Sequence, residues 1–394
     1  MFVYTAHIYI YALNGNSICI PSDLYKPGDG IPNGENFTCF RIPAIVEASN
    51  VLIAFAEGRR YVGDNCYPRN PIPGSAPSKA NGTSAIVLRR SMDGGQTWGE
   101  IKLVVQFGDD FQAVADTTAE KVLLHVQYSP KAILNEKSNQ TTKLHQITSH
   151  DLGLTWEEPI PINKDNKPLL GIWDGLMVGP GAALQLRSSN PYYPGRILWC
   201  GHRKDAVYHR VSPIWSSDDH GAHHTLQAVL PMDAAPPTVE YGPDECVFVE
   251  LKNGTIRYDA RNISPRHSGH SARMYSLSND GGDTWGPLLY DDKLAANPNC
   301  QAAMTTANKG SIILATAPSR TQRMNMTLHR STDGGLSWPH RHQLYDGQSG
   351  YSSVVALNDI QNNAAVLFER NDSALCTTGS SCKITLALVK DEEV

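Results

Sequence analysis

The chain has no excess of basic residues: 34 Lys and Arg stand against 39 Asp and Glu, a formal net charge of −5. Nucleic acids and anionic membrane surfaces call for a basic face, so neither is expected as a partner. No apolar run approaches the ~20 residues that a membrane-spanning helix needs. Long stretches of helical periodicity are also missing, which excludes a helical bundle. The cysteines show no paired metal-type spacing, and the fourteen His form no metal constellation. His202, His209, His223 and His224 fall on predicted loops or on a degenerate turn motif and are read as satisfied surface residues. No cofactor is called for. No stretch reads as a linker, so residues 1–394 are read as one domain.

What is present suits short strands and many turns: 25 Pro, 32 Gly and 16 Tyr, with 41% hydrophobic and 19% charged residues. Eight cysteines occur, together with seven Asn-X-Ser/Thr sequons at Asn36, Asn81, Asn139, Asn253, Asn262, Asn325 and Asn371. These favour a secreted or lysosomal protein over a cytosolic one with free thiols. Met1 to Ile20 is apolar but lacks a basic start and a small-residue cleavage site; it reads as a degenerate signal or as a first strand.

An internal repeat organises the chain. Ser91-Met-Asp93-Gly-Gly95-Gln-Thr97-Trp98 reads S-x-D-x-G-x-T-W. The pattern returns at Ser149–Trp156 and Ser278–Trp285, at Ser331–Trp338 with Ser337 for Thr, and in decayed form at Ser217-Asp-Asp219-His-Gly221. Each copy has the chemistry of a tight hairpin: Asp and Ser side chains bond local N–H groups and Gly supplies positive φ. The starts are separated by 58, 68, 61 and 53 residues. A period near sixty fits one four-stranded sheet per repeat, and extrapolation to both ends gives six units. The expected fold is therefore all-β, a six-bladed β-propeller of four-stranded antiparallel sheets. Val51–Ala56, Ser84–Arg89, Gly195–Cys200 and Ala364–Phe368 read as strands within it.

Further motifs accompany the boxes: Phe40-Arg41-Ile42-Pro43, Ala54-Phe-Ala-Glu57-Gly-Arg59, Leu88-Arg-Arg-Ser-Met-Asp-Gly-Gly95, Cys200-Gly-His202, Gly242-Pro-Asp-Glu245-Cys246, Ala260-Arg261-Asn262, Arg323-Met-Asn-Met-Thr-Leu328 and Ser349-Gly-Tyr351-Ser-Ser353. In this order they resemble the sialidases, from the FRIP motif onward, over about residues 36 to 370, with a likeness to the animal lysosomal type. The resemblance implies an exo-sialidase acting on terminal α-linked sialic acids of glycans. A trans-sialidase and a non-catalytic sialic-acid-binding propeller are the alternatives.

A sialic acid carries a carboxylate on its anomeric carbon, and guanidinium forks suit it. By the resemblance these are Arg41, Arg261 and Arg323, with Arg320 as a neighbour of the third. A carboxylate nucleophile would meet the substrate's own negative charge, whereas a neutral phenol avoids it. Tyr351 matches that nucleophile and Glu245 its base; Glu240 and Glu250 are the nearby alternatives. Asp64 is the one acidic residue between Glu57 and Asp93 and matches the general acid, with an ordinary turn Asp as the other reading. Arg59 matches an arginine near the sugar's 4-hydroxyl, and Glu369 a carboxylate that orients the first arginine. Asn325 lies two residues from Arg323, so a continuous strand would put both on one face and leave Asn325 without a glycan. Preferred sialic acid, linkage preference and oligomeric state are not legible.

Overall fold

A computed structural model describes residues 22–77, 84–128, 143–162, 176–204, 210–230, 242–263, 272–294, 299–307, 310–316, 322–357, 364–377 and 381–390. These residues form six small sheets that make a six-bladed β-propeller, with no helix among them. Blade I is built from Cys39–Ala48, Val51–Arg59, Ser84–Ser91 and Lys102–Gln106 in that order from the axis outward. Blades IV (Pro243–Tyr290) and V (Ala303–Gln343) repeat the plan with four strands each. Blades II and III carry a fifth short strand, and Gly181–Ala182 joins Gly108–Asp116 of blade II in parallel, against the antiparallel rule elsewhere. In blade VI the outermost strand is Ser22–Tyr25, which pairs with Lys383–Val389 and so closes the ring with the other end of the chain. Three of the four strands expected from apolar runs lie inside strands of the fold; the fourth, Gly195–Cys200, starts two residues before the strand Ile197–Lys204.

Most inner strands are buried almost throughout because both faces are covered by neighbouring blades. Six apolar clusters fill the six interfaces between successive blades, from Ile53, Leu88 and Phe111 between I and II round to Phe40, Ala54 and Leu367 between VI and I. No blade could bury its surface alone, which is why the repeat must close on itself.

Each box sits between the third and fourth strand of its blade. In blade II Asp151 Oδ1 accepts from the Ser149 hydroxyl (2.9 Å) and the Thr155 amide (2.8 Å), while Ser149 Oγ takes the Gly153 amide at 2.8 Å. The decayed copy in blade III keeps this geometry. Its Asp219 takes the His223 amide at 2.8 Å and the His223 ring at 2.5 Å, so an imidazole stands where Thr donates elsewhere. The glycines at the fifth box position hold φ between 82° and 96° and face the preceding blade: a Cβ on Gly221 would meet Leu123 and Gln146 at 2.9 Å. Ser91 pairs with Leu52 whereas Arg41 pairs with Glu57, so the boxes lie at the opposite end of the blades from Arg41.

Three disulfides join Cys39 to Cys66, Cys200 to Cys246 and Cys376 to Cys382, and Cys300 is a buried free thiol. Two of the histidines depart from the surface reading. His224 is buried, edge-on to the rings of His125 and Trp199. His202 lies in strand Ile197–Lys204, buried, and its Nε2 meets Asp244 at 2.9 Å. An apolar strand in a closed ring has no loop-like exposure to offer it. His209 lies outside the described residues.

Candidate active site

Three candidate residues share one structural address. Arg41, Glu245 and Tyr351 are each the third residue of an inner strand, in blades I, IV and VI. A register break starts at Arg41, between Arg41 and Ala44, and encloses the other two: Glu245 lies between Pro243 and Cys246, and Tyr351 between Ser349 and Ser352. Such bulges free a strand end from the ladder and re-aim its side chain, here toward the axial mouth. Ile42, inside the first bulge, sits at φ 56°, a strained backbone for a β-branched residue.

Glu369, on the second strand of blade VI, receives four donors. Arg41 Nε and Nη2 each bond it at 2.9 Å, the Ile42 amide at 2.9 Å and the Tyr351 amide at 3.0 Å. One carboxylate thus fixes the first arginine and the backbone of the candidate nucleophile together. Burial works against its charge, but Arg41 and the amide donors outweigh that and hold the carboxyl below its usual range.

Tyr351 Oη hydrogen-bonds the Glu245 carboxylate closely and accepts from Arg261 Nη1 at 3.1 Å. The same Nη1 reaches both Glu245 oxygens, at 2.7 and 2.6 Å. The Arg41 and Arg323 guanidinium carbons lie 5.0 and 5.3 Å from the Tyr351 ring centroid. Burial, then the Glu245 charge, push the phenol well above its ordinary pKa, and the three arginines pull it back down. Arg41 is paired with Glu369 and Arg261 with Glu245, whereas Arg323 has no carboxylate partner among the described residues. Its guanidinium is thus left to meet an anion that enters the mouth.

Asp64 occupies a left-handed turn (φ 48°) with Asn65, close to the disulfide-bonded Cys66. Its carbonyl takes Arg41 Nη1 at 2.9 Å and Arg59 Nη1 at 3.0 Å; its half-exposed carboxylate meets Arg59 at 3.0 Å and Arg41 at 3.9 Å. It is a turn Asp and also a mouth residue. Arg59 is gripped by Glu57 through two bonds of 3.0 Å.

All eight candidates, Arg41, Arg59, Asp64, Glu245, Arg261, Arg323, Tyr351 and Glu369, meet at this mouth. Of the alternatives, Glu250 ends the strand Pro243–Glu250 that carries Glu245 and binds Arg187 and Asn190, away from Tyr351. Glu240 and Arg320 lie outside the described residues. The continuous strand through Arg323 and Asn325 is not found: Asn325 has φ 62° and the strand begins at Thr327, so the shared-face argument lapses. Three residues escaped the sequence reading. Glu57 lies within the Ala54–Arg59 motif but was given no role. Asp110 is the third residue of the blade II inner strand, again at a register break, and its carboxylate lies within 4.8 Å of those of Glu57 and Asp109. Asn299 bonds two of the arginines and carries no motif at all.

Among known proteins, the family model described as a BNR repeat-like domain matches residues 76–363. The sialidase of Micromonospora viridifaciens is 30% identical over 363 residues, 85% of this chain and 51% of that protein. The chain thus spans about half the length of that relative. An intramolecular trans-sialidase structure from Ruminococcus gnavus superposes with a TM-score of 0.71 at 16% identity, covering 94% of this chain and 98% of that one. The Hadza microbial sialidase Hz136 superposes at 0.68 with 21% identity, covering 91% of this chain and 67% of that one. These two likenesses speak for the fold. With a family model matching well over half its residues, the chain belongs to the BNR repeat-like domain family, as a six-bladed propeller of the sialidase type.

Proposed function

We propose that the chain is a retaining exo-sialidase that hydrolyses terminal α-linked sialic acids from glycans. The observation that carries this reading is the Tyr351–Glu245–Arg261 contact at a mouth lined by two further arginines. A packed aromatic has no need of a carboxylate and a guanidinium on its hydroxyl, whereas a phenol nucleophile needs both.

The sugar carboxylate is taken up by Arg41, Arg261 and Arg323, with Arg323 contributing a guanidinium that no described carboxylate contacts. Tyr351 rests as a neutral phenol because burial opposes its ionisation. Glu245 takes the phenolic proton as the oxygen attacks the anomeric carbon, and the arginines stabilise the oxygen's developing charge. Asp64, as the acid, donates a proton to the leaving glycosidic oxygen. In the second half Asp64 removes a proton from water, water attacks the anomeric carbon, and the Tyr351 oxygen departs with the proton returned by Glu245. Two displacements retain the configuration. Arg59 faces the ring hydroxyls, and Glu369 keeps Arg41 and Tyr351 in mutual register.

Three disulfides among the described residues and exposed sequons at Asn36 and Asn253 support an oxidising, secretory-route location, secreted or lysosomal. The deciding experiment is incubation with a fluorogenic α-sialoside while the released sugar is followed by NMR. The α-anomer released first supports the mechanism; the β-anomer first removes Tyr351 as nucleophile, and no release by folded protein from acidic to neutral pH favours a binding role.

A further inference from the structure

We infer that Asn299 is a positioning residue that orients two of the three arginines for the substrate carboxylate. The inference rests on the sialoside reading above and extends it to a residue outside every recognised motif.

Asn299 lies in the connection between blade IV, whose last strand is Leu289–Tyr290, and blade V, whose first is Ala303–Thr306. Its side-chain Oδ1 accepts from Arg261 Nε, its Nδ2 donates to the Ile263 carbonyl, and its own carbonyl accepts from Arg323 Nη2 at 2.9 Å. One residue therefore touches both arginines that lack a dedicated carboxylate clamp of the Glu369 kind. The next two residues fix the strap. The Cys300 carbonyl takes Arg273 Nη1 at 3.1 Å. The Gln301 side chain bonds the Ser352 backbone twice beside Tyr351: its Oε1 accepts from the Ser352 amide at 2.9 Å and its Nε2 donates to the Ser352 carbonyl at 3.0 Å. Asn299 is thus held at one end by the nucleophile's strand and at the other by the strand that carries Arg261.

The geometry of the guanidinium explains why this matters. Arg261 spends Nη1 on Glu245 and Tyr351. Contact through one nitrogen lets the planar group pivot; a second bond at Nε fixes the plane and aims Nη2, which has no partner among the described residues. The Nδ2 bond to Ile263 fixes the side chain, and through it the backbone whose carbonyl aims Arg323. Arg41 needs no such help, because Glu369 already holds it through two nitrogens. Loss of the Asn299 side chain should therefore loosen two arms of the carboxylate grip and leave the Tyr351–Glu245 pair in place.

The test uses a 2,3-unsaturated sialic acid inhibitor and its methyl ester, which lacks the negative charge. For Asn299→Ala, the acid should lose about tenfold in affinity and KM should rise by a similar factor, the scale of one charge-assisted hydrogen bond. Ester binding and kcat should stay within about threefold. Asn299→Asp places a negative charge between the arginines and should lower acid affinity further while sparing the ester. Should the alanine variant fold poorly, Asn299→Ser gives the same acid-to-ester readout. An unchanged acid-to-ester ratio, or equal losses for both ligands, overturns the positioning role alone. A wild-type protein that does not prefer the acid overturns the sialoside reading, and the role of Asn299 with it.

Discussion

The two ends of the blades solve opposite problems. At the box end, five copies of one turn repeat nearly the same hydrogen bonds, each closed within four residues of chain: Ser hydroxyl to Asp, Thr amide to Asp, Gly amide to Ser. At the mouth no two blades contribute the same set of residues, and the bonds join positions up to 328 residues apart. Repetition serves assembly, since every blade must meet its neighbour in the same way. Divergence serves the site, since one ligand meets each blade from a different side. The blade III box shows how far the box end tolerates change: His223 and His224 replace Thr-Trp, and the turn survives because only a donor near Asp219 is needed.

The comparison breaks most sharply at Tyr351. Tyr351→Phe should lower kcat by orders of magnitude while thermal stability and sialoside binding stay close to wild type, because the arginines and Glu369 remain. Comparable activity in the variant would refute the assigned nucleophile. A mouth substitution that also damages the fold is Glu369→Gln. It strips the charge from the buried partner of Arg41, a loss on the order of 3–5 kcal/mol, measurable by denaturant unfolding. The sign with pH follows from the depressed carboxyl of Glu369. Its stabilisation is fully present above the unfolded value near 4.3 and fades as pH falls through the lower folded value. Wild type should therefore lose more stability than the variant as pH falls below about 4.

Arg323→Lys comes next: charge is kept but the fork is lost, so kcat/KM should fall by roughly ten- to hundredfold with little change in melting temperature. At the box end the pattern reverses. Asp151→Ala removes local bonds that hold this carboxyl near 2 despite an opposing burial effect. Stability should drop by about 1–2 kcal/mol with kcat/KM unchanged. The smallest change is His223→Thr, which restores the box threonine and should leave activity untouched and shift stability by within ~0.5 kcal/mol. Loss of activity in either box variant would show that the two ends are coupled.

Sequence alone determined the local parts. The box spacing gave the blade count because each box is a turn whose bonds are set by neighbours in the chain. Arg41, Glu245, Arg261 and Tyr351 were legible because each sits in a short recognisable motif. Tertiary structure decided the rest, for reasons of distance. Ring closure by Ser22–Tyr25 pairs positions 364 residues apart at Ser22 and Leu386, and no local pattern encodes that partner. His202 read as a surface residue because burial depends on the blade packed against it. Asn299 was invisible because its partners, Arg261 and Arg323, lie 38 and 24 residues away, and an Asn after a proline looks like any turn. A local bond can be read from the chain; a contact between blades exists only once the ring has closed.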